Sequence, residues 1–313
     1  MSIKLAQRSD RKRVILLIIG LLTLYVLVPR LSSFQNSFAT LRQADVAYIG
    51  LGLIFWLVTF LAAALVYKLI APRRLPYPQI LLIQLASGFT NRLAPLGAGA
   101  LAINARYLIK RGHSAIQAGA LVALNNILGF FGNAVLLLAA IIIRPDSLNN
   151  SLNIHPKTTS LLIAIILIGL AVGLGFLTII SSSLVHKVRK ATKLLLQIIF
   201  GRPHRLFLAL LTSMAITASY TLVLYFIGLA FNAHLSIAQA LFVLTVGVLA
   251  ATITPTPGGI GGAEAGLVAA LISIGITSHQ ALAVALTYRF LVYWLPILPG
   301  LAAFQSALRR RYI

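Results

Sequence analysis

The chain has 313 residues, 59% of them hydrophobic and only 10% charged. An average soluble domain carries roughly 25% charged residues, so an ordinary soluble enzyme is excluded. Its 26 Lys and Arg face four acids, Asp10, Asp45, Asp146 and Glu264, for a net charge of +22. The basic residues cluster between apolar stretches and not along one polar face, which points to the anionic surface of a membrane and away from nucleic acid. There is no cysteine, so disulfides, thiolate nucleophiles and Cys-ligated metals are ruled out.

A transmembrane helix needs about 20 apolar residues. Six runs predict full spans: Val14 to Pro29, Val46 to Tyr67, Ala115 to Ile143, Thr159 to Ser181, Leu206 to Phe231 and Gln280 to Leu308. The first run follows a basic tail, as a signal peptide would. The only small-residue site, Ser37-Phe38-Ala39, lies about ten residues past the apolar core, so the run is read as a retained span. Two further apolar regions are interrupted. Gln79 to Tyr107 breaks at Pro95-Leu96-Gly97-Ala98-Gly99, and Ala238 to Ile276 breaks between Thr254 and Gly262. Proline removes a helix donor and glycine leaves the backbone unconstrained, so neither region is expected to be one continuous helix. Leu184 to Phe200 reads as an amphipathic surface helix or a topology-setting linker.

The basic clusters lie in the N-terminal tail, at Lys68 to Arg74, at Arg106 to Arg111, at Lys187 to Arg205 and at Arg309 to Arg311. If Gln79 to Tyr107 is a re-entrant hairpin, all five fall on the cytoplasmic side with both termini, and the poorly charged connections fall outside. The second interrupted region then starts and finishes outside, as a hairpin or as two short spans. Pro95-x-Gly97-x-Gly99 overlays Pro257-x-Gly259-x-Gly261 at an offset of 162, and Gln117-Ala118 overlays Gln280-Ala281 at 163. Two weak repeat halves result, about 79–143 and 238–308, open to opposite sides as in inverted-repeat transporters. Chance matching among Gly-, Ala- and Leu-rich segments is the competing reading. The expected fold is an all-α polytopic membrane protein forming a single integral membrane domain over 1–313, with about six full spans plus the two broken regions.

Interrupted helices leave backbone groups unpaired, which is tolerated only where they face protein or a water-filled cavity, and half-helix N-termini suit an anionic group. Gly97, Gly99, Gly258, Gly259, Gly261 and Gly262 are candidates for close approach to a ligand, or for helix packing through small residues. Glu264, the only glutamate, falls in the first turn after the second break. Arg289 falls roughly 14 Å into the last span, where a lone cation is costly, so the two are expected to meet or to share a polar cavity. Asn91 and Arg92 precede the first break, and Asn104 and Arg106 follow it. Arg92 could take a lipid phosphate bidentately. Arg106, Lys110 and Arg111 could simply snorkel at the membrane face. Asn125 and Asn126 align near Arg289 and could line the same cavity or bond between helices. No paired acids, D-x-D, H-x-x-x-H, G-x-S-x-G or P-loop supports an enzyme, and no cofactor or metal is expected.

The stretch Pro255-Thr-Pro-Gly-Gly-Ile-Gly-Gly-Ala-Glu264-Ala, with Ala281-Leu-Ala, Tyr288-Arg289-Phe290 and Trp294-Leu-Pro-Ile-Leu-Pro-Gly300, resembles the lysylphosphatidylglycerol synthase transmembrane-region family. That family includes the flippase half of the multiple peptide resistance factor. The first motif departs from the family pattern in lacking an arginine and an acid around its glycines. The resemblance implies a lipid-handling protein of a prokaryotic plasma membrane, a flippase of a phospholipid or polyprenyl-linked lipid. The alternatives are a membrane glycosyltransferase using a polyprenyl phosphate and a non-transporting partner of a lipid-modifying synthase. Membrane lipids with an anionic headgroup are the expected partners, an oligomer is left open, and Tyr288 joins Glu264, Arg289, Arg92, Asn91 and Asn126 among the expected substrate-binding residues.

Overall fold

The structure, a computed structural model, describes residues 44–94, 97–143, 196 and 201–313. The predicted spans Val14 to Pro29 and Thr159 to Ser181, the Ser37 to Ala39 site and nearly all of Leu184 to Phe200 lie outside those residues. Among the described residues every regular element is a helix.

Helix α1, Val46–Ile70, is 25 residues long and opens on Asp45, whose carboxylate accepts from the Ala47 N–H at 2.8 Å. That acceptor satisfies one of the donors a helix start leaves unpaired. Helices α2, Tyr77–Leu93, and α3, Ala98–Lys110, form the first interrupted region and pack against each other. Helix α4, Ala115–Ile143, and helix α5, Pro203–Ala230, follow as long apolar elements. The second interrupted region is α6, Ile237–Ile253, paired with α7, Gly262–Ser273. At 1.5 Å per residue these four short helices reach about 18 to 26 Å, less than the ~30 Å of a hydrocarbon core.

Helix α8, Ser278–Arg289, runs into a π-helical stretch, Phe290–Trp294, and then into α9, Ile297–Arg309. The whole path Ser278–Arg309 is apolar and long enough to cross a membrane, as are α1, α4 and α5. The predicted span Gln280 to Leu308 is therefore present but not as one regular helix. Its wide turn is closed by Leu295 N–H donating to the Phe290 carbonyl five residues back, at 2.8 Å. Pro296 has no N–H to offer Val292, so the ladder opens there.

Helices α1 and α5 run antiparallel: the Asp45 N–H donates to the carbonyl of Ala230, at 3.0 Å. This pair carries a different hydrophobic core at each end. Toward the start of α1, Trp56 packs with Val223, Leu224 and Ile227 of α5 and with Val243, Leu267 and Leu271 of the α6–α7 hairpin. Toward its other end, Ala64, Val66 and Ile70 pack with Ala209 of α5 and with Ile80, Ile83 and Leu108 of the α2–α3 hairpin. The two interrupted hairpins thus sit at opposite ends of one antiparallel helix pair. The last span also contributes to both cores, Val284 and Leu291 to one and Ala307 to the other.

Candidate functional site

Each hairpin restarts on a glycine with a backbone that L side chains rarely adopt, Gly97 at φ 76° before α3 and Gly261 at φ 87° before α7. Glu264 sits at the third position of α7, and one carboxylate oxygen accepts from the Gly261 N–H at 2.7 Å. Its other oxygen accepts from Arg289 Nε at 2.6 Å. Glutamate and arginine therefore meet, as their depth in the chain requires, with side chains only 21% and 10% exposed. A buried cation without this partner would be strongly unfavourable. Arg289 also donates to the Gly258 carbonyl at 3.3 Å, which ties the last span to the tip of the second hairpin.

The tip of the first hairpin reaches the same place. Arg92, one residue before the end of α2, donates to the carbonyls of Val292, at 2.6 Å, and Tyr293. A third bond turns back to the Gly88 carbonyl. Val292 has lost its α-helical donor to Pro296, and Tyr293 lies just before the restart of the helix at Ile297, so Arg92 meets acceptors that the irregular backbone frees. The guanidinium carbons of Arg92 and Arg289 lie 5.1 Å and 4.2 Å from the centre of the Tyr293 ring. Both are within the range of a cation–π attraction. The Tyr293 hydroxyl donates to the Pro257 carbonyl at 3.3 Å. Two arginines and one glutamate, a net positive charge, converge where both hairpin tips touch the opened segment of the last span.

Tyr293 is the residue sequence reasoning missed. Its signal was the four-residue spacing from Arg289, which brings two side chains to one helix face, three residues before a proline. Tyr288 was expected instead, and the structure places it in the apolar core beside Val284 and Leu291.

The glycines divide by neighbour. A Cβ on Gly258 would lie 2.3 Å from the Tyr293 ring, one on Gly259 2.7 Å from the Ala251 carbonyl oxygen, and one on Gly262 1.8 Å from Thr254 Oγ1. One on Gly99 would lie 1.9 Å from the Thr90 carbonyl oxygen. These four close-packed positions seat protein against protein. Gly97 and Gly261 have room and serve the turn.

Asn91, Asn104, Asn125 and Asn126 come together elsewhere. With Gln84 and Ser87 they line a cavity of about 200 Å³ bounded by α1 to α5. Glu264 and Arg289 are not among its lining residues, so the asparagines and the ion pair occupy separate places. Asn104 is buried and held on three sides, accepting from Gln84 at 2.9 Å and donating to Ser87 Oγ and the Ala100 carbonyl, each at 2.9 Å. The carboxamide oxygen of Asn91 is buried without a partner. Arg106 lies four residues before the end of α3, Lys110 ends it and Arg111 caps it, and Arg111 covers the rings of Tyr107 and Tyr312. None of the three reaches the Glu264–Arg289 pair.

Among the described residues, four apolar helical stretches of membrane length, short interrupted helices between them and a buried ion pair define a polytopic α-helical membrane protein. The chain belongs to the lysylphosphatidylglycerol synthase TM region family, whose sequence profile matches residues 14–300. No curated protein matches it. Membership places it among membrane proteins of lipid-related families.

Proposed function

We propose that this protein moves a lipid with an anionic headgroup across a prokaryotic plasma membrane, with the N- and C-termini on the cytoplasmic side. The carrying observation is the convergence of Arg92 and Arg289 on Tyr293 at the tips of two interrupted hairpins. With Glu264 as the sole acid there, the site keeps one positive charge in excess. A low-dielectric surrounding strengthens its attraction for a phosphate. The restarts of α3 and α7 add helix N-termini near the tips of their hairpins, each favouring negative charge.

In this reading both hairpins are re-entrant, entering from opposite faces as inverted repeats. Their short lengths and their places at opposite ends of the α1–α5 pair support it. Glu264 holds Arg289 until a phosphate competes for the guanidinium. Gly258 and Gly259 let Tyr293 and Ala251 close on the hairpin tip, Gly261 leaves its turn open to a headgroup, and Asn91 and Asn126 line the polar cavity beside the first hairpin.

The test is reconstitution into liposomes carrying tail-labelled fluorescent lipids of differing headgroup, with bleaching of the outer leaflet by a membrane-impermeant reductant. The protein should raise the bleachable fraction of an anionic lipid, and Glu264→Gln and Arg289→Ala should lower that rate. An unchanged fraction for every lipid, or variants as active as the wild type, would overturn transport. Transfer of a sugar to a polyprenyl phosphate in the same vesicles would replace it with the glycosyltransferase reading.

A further inference from the structure

Arg92 and Arg289 share one aromatic ring but spend their donors differently. All three nitrogens of Arg92 donate to backbone carbonyls, those of Gly88, Val292 and Tyr293, so this arginine braces the opened backbone. Arg289 commits Nε to Glu264 and Nη2 to the Gly258 carbonyl. Its Nη1 has no hydrogen-bond partner among the described residues, and it is not enclosed by protein. A guanidinium carries five N–H groups, so three of them stay available, both on Nη1 and one on Nη2. Solvent reaches the pair: the Glu264 side chain is 21% exposed, and a Cβ on Gly261, whose N–H bonds the same carboxylate, would meet nothing within 4 Å. Arg289 is therefore the arginine with a donor to give.

What orients that donor is the ring of Tyr293. Its centre lies 4.2 Å from the Arg289 guanidinium carbon, nearer than the 5.1 Å to Arg92. The face of an aromatic ring is its negative side, so it attracts both guanidiniums and offsets their mutual repulsion. Tyr293 is only 6% exposed, and such an attraction is stronger where water is excluded. The ring is itself clamped. Its hydroxyl donates to the Pro257 carbonyl, Gly258 leaves no Cβ in its way, and the edge of Trp294 packs on it with ring centres 5.1 Å apart. A long, flexible arginine side chain held by a carboxylate, a carbonyl and a fixed ring has one orientation, and the free nitrogen is set by the other three contacts.

We infer that Tyr293 is a positioning residue of the anion site: the face of its ring fixes the Arg289 guanidinium so that Nη1 is the first donor a headgroup phosphate meets, while Glu264 keeps Nε. This rests on the lipid-binding part of the proposed function but not on transport, so it is tested by binding. Purified full-length protein in detergent is titrated with tail-labelled phosphatidate, and inorganic phosphate serves as a competitor that has the oxyanion without the tails. Position 293 is occupied in turn by tyrosine, phenylalanine, leucine and phenylalanines carrying one or three ring fluorines, which draw charge from the ring face at nearly constant size.

Tyr293→Leu should weaken phosphatidate binding roughly tenfold, and Tyr293→Phe, which gives up only the bond to Pro257, should weaken it much less. Affinity should fall stepwise with each added fluorine. Arg289→Lys should weaken binding more than Arg92→Lys, because only Arg289 presents a free donor. A ring that merely fills space at the hairpin tip would be blind to fluorine, so equal affinity across the fluorinated series, or equal losses from the two lysine variants, would overturn the inference even if Tyr293→Leu fails to fold. Displacement of the lipid by an equal concentration of inorganic phosphate would overturn a lipid as the owner of the phosphate. No binding of phosphatidate by the wild type would remove the lipid-binding reading and the inference together, whereas fluorine-sensitive binding without movement in vesicles would leave the inference standing and remove transport alone.

Discussion

The α2–α3 and α6–α7 hairpins both restart on a glycine with positive φ, and both press a second glycine against the preceding helix, Gly99 on Thr90 and Gly262 on Thr254. Inside they differ. In the second, Gly247 closes on Leu267 and Gly266 on Ala250, so small residues draw two backbones together without space between them. In the first, Gln84, Ser87, Asn91 and Asn104 stand where such a seam would run, and a cavity opens beside them. The lone glutamate belongs to the filled hairpin and the carboxamides to the open one. One hairpin therefore fixes an arginine, and the other borders an open polar cavity.

The difference is most severely tested at Gly262. A valine there would drive its Cβ into Thr254, whose side chain is itself bonded to the Ala250 carbonyl at 2.7 Å. The expected loss is about 3 kcal/mol or more, read as loss of the monodisperse peak in size-exclusion chromatography. Gly261→Ala is the control, because its Cβ would meet nothing within 4 Å. Its backbone, at φ 87° and ψ −49°, is sparsely populated by L residues, so it should cost that strain alone, about 1 to 3 kcal/mol. Equal damage from both would mean that conformation, and not the seam, sets the requirement for glycine.

Next in size is Glu264→Ala, which strands Arg289 and unbinds the Gly261 N–H. A loss of about 3 kcal/mol is expected, seen as a lower Tm in detergent. Adding Arg289→Met should recover most of it, because removing both partners leaves no buried charge behind. If the double variant is as unstable as the single, the pair is not what holds the second hairpin to the last span. Arg92→Met should cost less, about 2 kcal/mol, by leaving the Val292 and Tyr293 carbonyls unpaired. Arg92→Lys should recover only part of that loss, since one ammonium cannot reproduce the spread of a guanidinium.

Much of this was legible in the residues. The proline and glycine runs located both interruptions, and the scarcity of acids singled out Glu264 as the partner for Arg289. The overlay at an offset of 162 was less faithful. By role, Gly97 corresponds to Gly261, two residues further along, because what the hairpins share is the glycine that starts a helix and not the order of prolines before it. The gathering at Tyr293 was hidden for a related reason. It depends on Pro296 opening a backbone that the hydropathy pattern shows as one uninterrupted span, and on an arginine about 200 residues earlier finding the freed carbonyls. Asn125 and Asn126 were placed near Arg289 by counting residues into their spans. Counting gives depth along a helix but not the face presented, and their face meets the first hairpin.

The smallest effect on stability discriminates best between the two hairpins. Asn126 is exposed and caps no helix in this structure, so Asn126→Ala should change the Tm by no more than about 0.5 kcal/mol would. It nevertheless removes one polar wall of the cavity. A variant that is folded, as stable as the wild type and slower only in moving lipid would separate the two hairpins by kind: substitutions in the second change whether the protein holds together, and substitutions in the first change what it does. If Asn126→Ala instead lowers the Tm as far as Arg92→Met does, the asparagines are cross-links between helices, and the open hairpin is a structural seam like its counterpart, made with amides in place of glycines.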